Sequence, residues 1–192
     1  MVLTNTAENE ASLILQAQNG DRNAFGELVR RHYQGVVLVV TRMCGDTGLA
    51  EDAAQEAFIR AWVNLPAYRP TGSLRNWLYR IAINAALDVL RRKPEEMLED
   101  EEVQRMPDQA ADPETALIEK ERVALLQQAM KSLPEAARSV LVLREFGGLS
   151  YQEIAGVLQV PVGTVMSRLN YARNRLREIL RDYLVRTESE YA

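Results

Sequence analysis

From Leu13 to Arg92, and again from near Glu114 to Leu180, hydrophobic residues recur at steps of three and four, which predicts a succession of amphipathic helices. A short helix over Leu13 to Gln18 is ended by Asn19-Gly20, and Asp21 caps the next, which runs through FGELVRRHYQGVVLVVTRM to Cys44-Gly45. Gly35 weakens that helix. A third helix follows Thr47 and reads GLAEDAAQEAFIRAWVNL, with Ala54, Ala57, Phe58, Ala61, Trp62 and Leu65 on the buried side. Asp52, Gln55, Glu56 and Arg60 face outward, and Ile59 lies exposed beside them. After the punctuating PAYRPTG comes a fourth helix, from about Ser73 to Arg92. Its core stripe is Leu78, Ala82, Ala85 and Val89, while Arg80, Asn84, Asp88 and Arg91 share another face.

Helices resume near Glu114. A capping-box pattern from Ser132 to Glu135, around Pro134, opens PEAARSVLVLREF, which Gly147-Gly148 ends. The stretch LSYQEIAGVLQVPVGTVMSRLNYARNRLR then reads as two helices around a tight corner. Ser150 and Glu153 form a second capping box, and Ile154, Ala155, Val157 and Leu158 give the first helix its buried side. Pro161 and Gly163 break it, and Thr164 is the expected N-cap of a helix carrying Val165, Leu169, Ala172, Leu176, Ile179 and Leu180 inward. The opposite face is basic, with Arg168, Arg173, Arg175, Arg177 and Arg181 against Glu178 and Asp182. Such a helix after a short turn is the geometry that enters a major groove, although periodicity alone fits equally an αα-hairpin with a solvated arginine face. The small Ala155 at the crossing favours the former. Gln159 stands where helix-turn-helix corners usually carry glycine, so a left-handed conformation there costs about 1 kcal/mol or more.

The net charge of −4 argues against a nucleic-acid partner only until it is divided by segment. Residues 1–93 hold 11 Lys+Arg and 9 Asp+Glu, residues 94–119 hold 1 and 10, and residues 120–192 hold 11 and 8. One acidic stretch therefore sets the balance, between two mildly basic helical regions. With Pro94, Pro107 and Pro113 and few large apolar residues, residues 94–118 read as a flexible linker. Its 25 residues reach ~85 Å extended but only ~25–30 Å as a coil.

Chemistry is scarce. The single Cys44 excludes an intramolecular disulfide and a cysteine-rich zinc site, and a buried apolar role suits it better than redox sensing. The lone His32 leaves no nucleophile–histidine pair, so no catalytic residue, metal or cofactor is expected. No apolar run is long enough for a membrane span and the start lacks a secretory pattern, which suggests the cytoplasm.

Taken together, AEDAAQEAFIRAW, YRPTGSLRNWLYRIAINAALDVLRR, the acidic linker and LPEAARSVLVLREFGGLSYQEIAGVLQVPVGTVMSRLNYARNRLR resemble the extracytoplasmic-function (group IV) bacterial sigma factors from Leu13 to Arg181. The resemblance implies an all-α chain of two small domains, residues 1–93 (region 2) and 119–192 (region 4), joined by the linker 94–118. It also implies a promoter-specificity subunit serving a stress or envelope regulon. Asp52, Gln55, Glu56 and Ile59 would dock on the clamp helices of the polymerase beta-prime subunit, with further contacts to the beta subunit. Tyr68, Ser73, Asn76, Trp77, Tyr79, Arg80 and Asn84 would surround bases extruded from the −10 element, Asn84 pairing with a base edge. Core packing competes for Trp77, and Asp88 is expected to pair with Arg91 or Arg92. Thr164, Ser167, Arg168, Tyr171, Arg173 and Arg175 would contact −35 duplex, mostly through phosphates. Met166 and Asn170 depart from residues frequent in the family. An anti-sigma factor is the further expected partner. The alternatives are a free-standing dimeric regulator binding an operator, for which no dimerisation seam is evident, and a nucleic-acid enzyme, for which no catalytic cluster is present.

Overall fold

The computed structural model describes the backbone of residues 3–70, 72–92 and 113–190, and the side chains of residues 9–70, 72–92 and 122–181. Among the described residues the regular structure is entirely helical: α1 (Leu3–Gln18), α2 (Arg22–Cys44), α3 (Thr47–Asn64), α4 (Leu74–Arg92), α5 (Pro113–Lys131), α6 (Glu135–Glu145), α7 (Tyr151–Leu158) and α8 (Val162–Glu190), with a 3-10 turn at Leu65–Ala67. The expected linker lies largely outside the described residues, but α5 begins at Pro113, so residues 113–118 are helical rather than part of it.

Helices α1 to α4 form the N-terminal unit. Val36, Val39, Val40 and Met43 of α2 pack with Ala50, Ala53, Ala57 and Ala61 of α3 and with the predicted stripe of α4, all buried. The alanine-rich face of α3 lets three helices approach closely, and larger residues at both ends close the core. The first helix is longer than its apolar pattern suggested, starting at Leu3. The cap of α3 is Asp46, whose carboxylate accepts the Leu49 N–H at 2.7 Å, one residue before the expected Thr47 boundary. Asp21 caps α2 as expected, accepting from the amides of Asn23 and Ala24.

Gly35 does more than weaken α2. A Cβ built there would lie 2.7 Å from the Tyr79 hydroxyl oxygen of α4, so the missing side chain is the space that Tyr79 fills. Burial pushes the Tyr79 phenol above its ordinary pKa. Tyr68 is buried as well, its hydroxyl donating to the Gly72 carbonyl at 2.9 Å and its ring tilted against Trp77 with centroids 4.9 Å apart. Gln18 of α1 ties this loop down, donating to the carbonyls of Leu65 and Tyr68 at 3.0 and 2.9 Å.

In the C-terminal unit Val140, Val142, Leu143, Leu149, Ile154, Val165, Leu169 and Ala172 make the core. The box expected at Ser132 does not form. The Ser132 hydroxyl instead donates to the Ala129 carbonyl and finishes α5, and the Pro134 carbonyl opens α6 by accepting from Ala137 and Arg138. Gly148, with φ +66, ends α6 as predicted.

The two units pack on each other. The end of α2 meets α5 and α6, and α4 meets α6 and α7. Gly45 terminates α2 at φ +66, and the stem of Lys131 passes where its Cβ would stand, at 2.7 Å. Arg138 of α6 is 8% exposed and donates to the carbonyls of Met43, Lys131 and Leu133 at 2.9, 2.6 and 3.0 Å. Beside it Cys44 is buried, and desolvation pushes its thiol up to about 12, which fits the apolar role rather than a sensor.

The Gly35–Tyr79 contact generates a test. Gly35→Ala should lose about 1–3 kcal/mol by urea unfolding through overpacking, although alanine is the better helix former. In a Tyr79→Phe background, which removes the atom in conflict, the same substitution should be neutral or stabilising by up to ~1 kcal/mol.

Candidate nucleic-acid interface

The corner between α7 and α8 is built locally. Ser150 Oγ accepts the Glu153 amide at 3.3 Å while the Glu153 carboxylate accepts the Ser150 amide at 2.9 Å, so the predicted capping box is complete. These bonds, with that from Asn76, hold the Glu153 carboxyl below its ordinary pKa. Arg144 fixes the approach to α7, donating to the Leu149 carbonyl at 2.8 Å with its guanidinium over the Tyr151 ring. At the other end Gln159 is left-handed (φ 55, ψ 46), and its N–H reaches the Ala155 carbonyl. Gln159 therefore does what glycine does elsewhere. Thr164 is not the N-cap of α8: the Pro161 carbonyl accepts from the amides of Thr164 and Val165, placing Thr164 inside the first turn. Proline already has the φ that a helix start needs, so the helix begins earlier than the threonine suggested.

Along α8 the outward face carries Val162, Met166, Ser167, Asn170, Tyr171 and Asn174. Of the residues expected to meet duplex DNA, Ser167 and Tyr171 are exposed there and Thr164 is half-buried. Arg168 lies half-buried toward the N-terminal unit. Arg173 is tied to Glu145 of α6 at 2.7 Å, and Arg175 to Glu178 at 3.2 Å. Both pairs are solvent-exposed and weak enough, at about 0–1 kcal/mol, for a phosphate to compete with the carboxylate.

The α4 residues divide. Arg80 and Asn84 are exposed, and they line a cleft of about 270 Å³ with Arg91, Glu135, Gln159 and Arg168. Ser73 is exposed and caps α4, its hydroxyl accepting the Asn76 amide at 3.2 Å. Asn76 donates to Glu153 of α7 at 3.1 Å, and its carbonyl oxygen is buried without a partner. Tyr68 and Tyr79 are core residues in this conformation, and Trp77 is half-buried against Tyr68, so none presents a free ring for a base. Asp88 pairs with Arg60 of α3 at 2.7 Å, not with Arg91 or Arg92, because α3 packs directly alongside. Arg60 also holds Glu56 at 2.8 Å, and these two bonds raise its pKa, that to Asp88 contributing more.

On α3, Asp52, Gln55 and Ile59 are exposed and Glu56 half-exposed, forming one face as expected. Val63, one turn beyond Ile59 and 68% exposed, extends that face with apolar surface. Sequence reasoning missed it, although its spacing of four from Ile59 was the available signal. Also missed were the groups joining the units: Arg75, 3.7 Å from Glu153, Glu135, 3.5 Å from Arg91, and Arg138. An arginine inside the apolar run of α6 was the one sign of the last. Among the described residues no group of three or more His, Cys, Asp or Glu is placed to hold a metal.

Comparison with known proteins places these units in order. Residues 28–95 match the family Sigma-70 region 2 and residues 124–176 the family Sigma-70, region 4. The chain is 38% identical over 188 residues to the RNA polymerase sigma-H factor of Pseudomonas aeruginosa, covering 93% of this chain and 97% of that protein. It is 36% identical to the ECF RNA polymerase sigma factor SigW of Bacillus subtilis, over 88% of this chain and 95% of that one. Among solved structures, CnrH in complex with the cytosolic domain of CnrY superposes with a TM-score of 0.68 at 29% identity, covering 91% of this chain and 98% of that one. The sigma factor RpoE of Bartonella quintana, in complex with the anti-sigma factor NepR, shares the fold at a TM-score of 0.65 and 22% identity, over 82% and 96% of the two chains.

Two substitutions test the interface as built. Gln159→Gly should raise stability by about 0.5–1 kcal/mol in thermal unfolding, since glycine reaches the left-handed corner without strain. Arg173→Ala should weaken binding to −35 duplex and lower the slope of log affinity against log salt by about 0.9, one phosphate's worth. An unchanged slope with altered base preference would reassign Arg173 to base reading.

Proposed function

This chain belongs to the extracytoplasmic-function sigma factors, and on that premise we infer how its two helical units divide the reading of a promoter. It is a promoter-specificity subunit that binds core RNA polymerase and directs it to promoter DNA. The division of labour rests on one observation: two outward-facing sets of DNA-compatible groups sit on separate helices of one chain. One is the α8 face with Ser167, Asn170 and Tyr171, and the other is Arg80 with Asn84 on α4.

The α8 face reads −35 duplex. Its start projects from a tight corner with Val162 and Met166 exposed, giving apolar surface for thymine methyl groups beside polar groups for base edges and phosphates. Asn84 reads the −10 strand by its amide, and Arg80, one turn earlier, meets the backbone. Ser73 orders the start of α4 rather than touching a base, and Tyr68, Trp77 and Tyr79 support the loop from beneath. On α3 the face of Asp52, Gln55, Glu56, Ile59 and Val63 docks on the beta-prime clamp helices, its carboxylates suiting a basic partner and its two apolar residues supplying burial. The apolar groove between α5, α6 and α8, of about 550 Å³ and lined by Leu126, Met130, Leu141, Phe146, Leu176 and Leu180, is the surface for the beta subunit.

The family works as initiation factors without catalysing a reaction, and the same is proposed here. No described helix is long and apolar enough to cross a membrane, and we place the chain in the cytoplasm with polymerase. An anti-sigma factor is the expected regulator, as CnrH and the Bartonella RpoE each appear with a partner of their own.

Footprinting and permanganate reactivity with protein alone, core alone and both test this reading. Protection at two sites with reactive thymines should appear only with both components; a strong symmetric footprint from the protein alone would establish an operator-binding regulator instead. Asn84→Ala should leave closed-complex binding near wild type while impairing strand opening or −10 base choice. Equal loss of both, in a folded protein, would remove Asn84 from strand reading.

A further inference from the structure

Promoter reading gives Arg80 and Asn84 a task along α4, but it leaves unexplained why Arg168 of α8 lies half-buried in the same cleft, off the outward face of its own helix. A guanidinium drawn out of water is ordinarily paired. Among the described residues the side chains of Arg80 and Arg168 have no ion-pair or hydrogen-bond partner, and the same holds for the side-chain amides of Asn84 and Gln159, which line the cleft with them. Four unengaged polar groups thus converge from α4, α8 and the corner before α8.

Their surroundings narrow what they can hold. Arg91 is the third guanidinium among the lining residues and Glu135, 3.5 Å from it, the one carboxylate, so the cleft carries a surplus of two positive charges. Asp88, on the same face of α4, is turned to Arg60 instead. The floor is apolar, made by Ile83, Leu87, Val157 and Leu158, while Arg80, Asn84 and Gln159 are exposed and leave the mouth open to solvent. At about 270 Å³ the space lies just below the usual range of small-molecule sites, which starts at about 300 Å³. It admits one compact molecule and not an oligonucleotide.

We propose that this cleft is a binding site for a mononucleotide. A phosphate monoester carries a charge of about −1.5 to −2 at neutral pH, which matches the surplus, and the planar forks of Arg80 and Arg168 suit its oxygens better than a point charge would. The base rests on the apolar floor. Asn84 and Gln159 each offer a donor and an acceptor to its polar edge, so the amides that lack partners receive them together with the two arginines. The site stands on these side chains and is independent of the assignment of −10 reading to α4.

Titration calorimetry of the full chain with the four ribonucleoside 5′-monophosphates, their nucleosides and inorganic phosphate tests the site. At least one nucleotide should bind one-to-one, roughly 10-fold or more tightly than either phosphate or its own nucleoside. Arg168→Gln should weaken that binding by about 10-fold, and Arg80→Gln, at an exposed position that the fold does not use, should do the same. Glu135→Gln, which removes the opposing carboxylate, should tighten it by roughly 2- to 5-fold. The control is Arg30→Gln on α2, an equal loss of charge outside the cleft, which should change nothing. Absence of saturable binding by every nucleotide, phosphate binding as tightly as the nucleotides, or an equal loss in Arg30→Gln would overturn the proposal.

Discussion

One guanidinium holds the structure's two halves in register. Arg138 sits within the apolar face of α6, and its Nη groups donate to the carbonyls of Met43, at the end of α2, and of Lys131 and Leu133, at and just beyond the end of α5. Helix ends leave their last carbonyls without intrahelical partners, and those carbonyls carry the negative end of the helix dipole. A cation there needs no carboxylate to be tolerated, although burial still lowers the Arg138 pKa from its ordinary value and leaves Nε without an acceptor. Removing the side chain would strand buried carbonyls in both units at once, at about 1–3 kcal/mol for each one left dry. Gly45 belongs to the same arrangement: its left-handed φ closes α2, and its missing Cβ makes room for the Lys131 stem.

A second arginine couples the surfaces within the N-terminal unit. Arg60 of α3 holds Glu56 on one side and Asp88 of α4 on the other. Asp88 shares its face with Arg80, Asn84 and Arg91, where a bare carboxylate would repel a phosphate backbone. Paired with Arg60 it is neutralised without leaving α4. The helix proposed to dock on polymerase and the helix proposed to read the strand are thereby joined by a contact that neither sequence motif contains. Both ions remain partly exposed, so this fixes orientation more than it adds stability.

What was legible beforehand was what is local. The Ser150–Glu153 box, the Asp21 cap and the glycine ends of α2 and α6 depend on residues within a few positions, and each reads from the sequence, whereas Gln159 takes the left-handed corner despite its side chain. The α4 core stripe and the exposed α3 face of Asp52, Gln55 and Ile59 read from it too, because helical spacing alone sets them. The burial of Tyr68 and Tyr79 was not legible, because their type suited a base-stacking loop while their burial depends on distant residues. Gln18 reaches the Tyr68 carbonyl from fifty positions away, and Gly35, which looked like a flaw in α2, is the gap that receives Tyr79. Asp88 had plausible partners three and four residues on, yet its actual partner lies across a helix interface. The contacts between units were invisible for the same reason, and the groups that make them, Arg75, Glu135 and Glu153, look in sequence like ordinary solvated charges.

The contact between the units combines one buried cation with exposed charge pairs. Joined in one chain through twenty residues between Arg92 and Pro113, the units face one another at an effective concentration on the order of millimolar, so even a weak interface is well populated. Two of its ion pairs are half-exposed, contributing about 0–1 kcal/mol each and screened by salt, so the buried residues carry most of the contact. The exposed pairs Arg75–Glu153 and Arg91–Glu135 therefore orient the units, while the buried Arg138, bonded to carbonyls of both, sets where they meet.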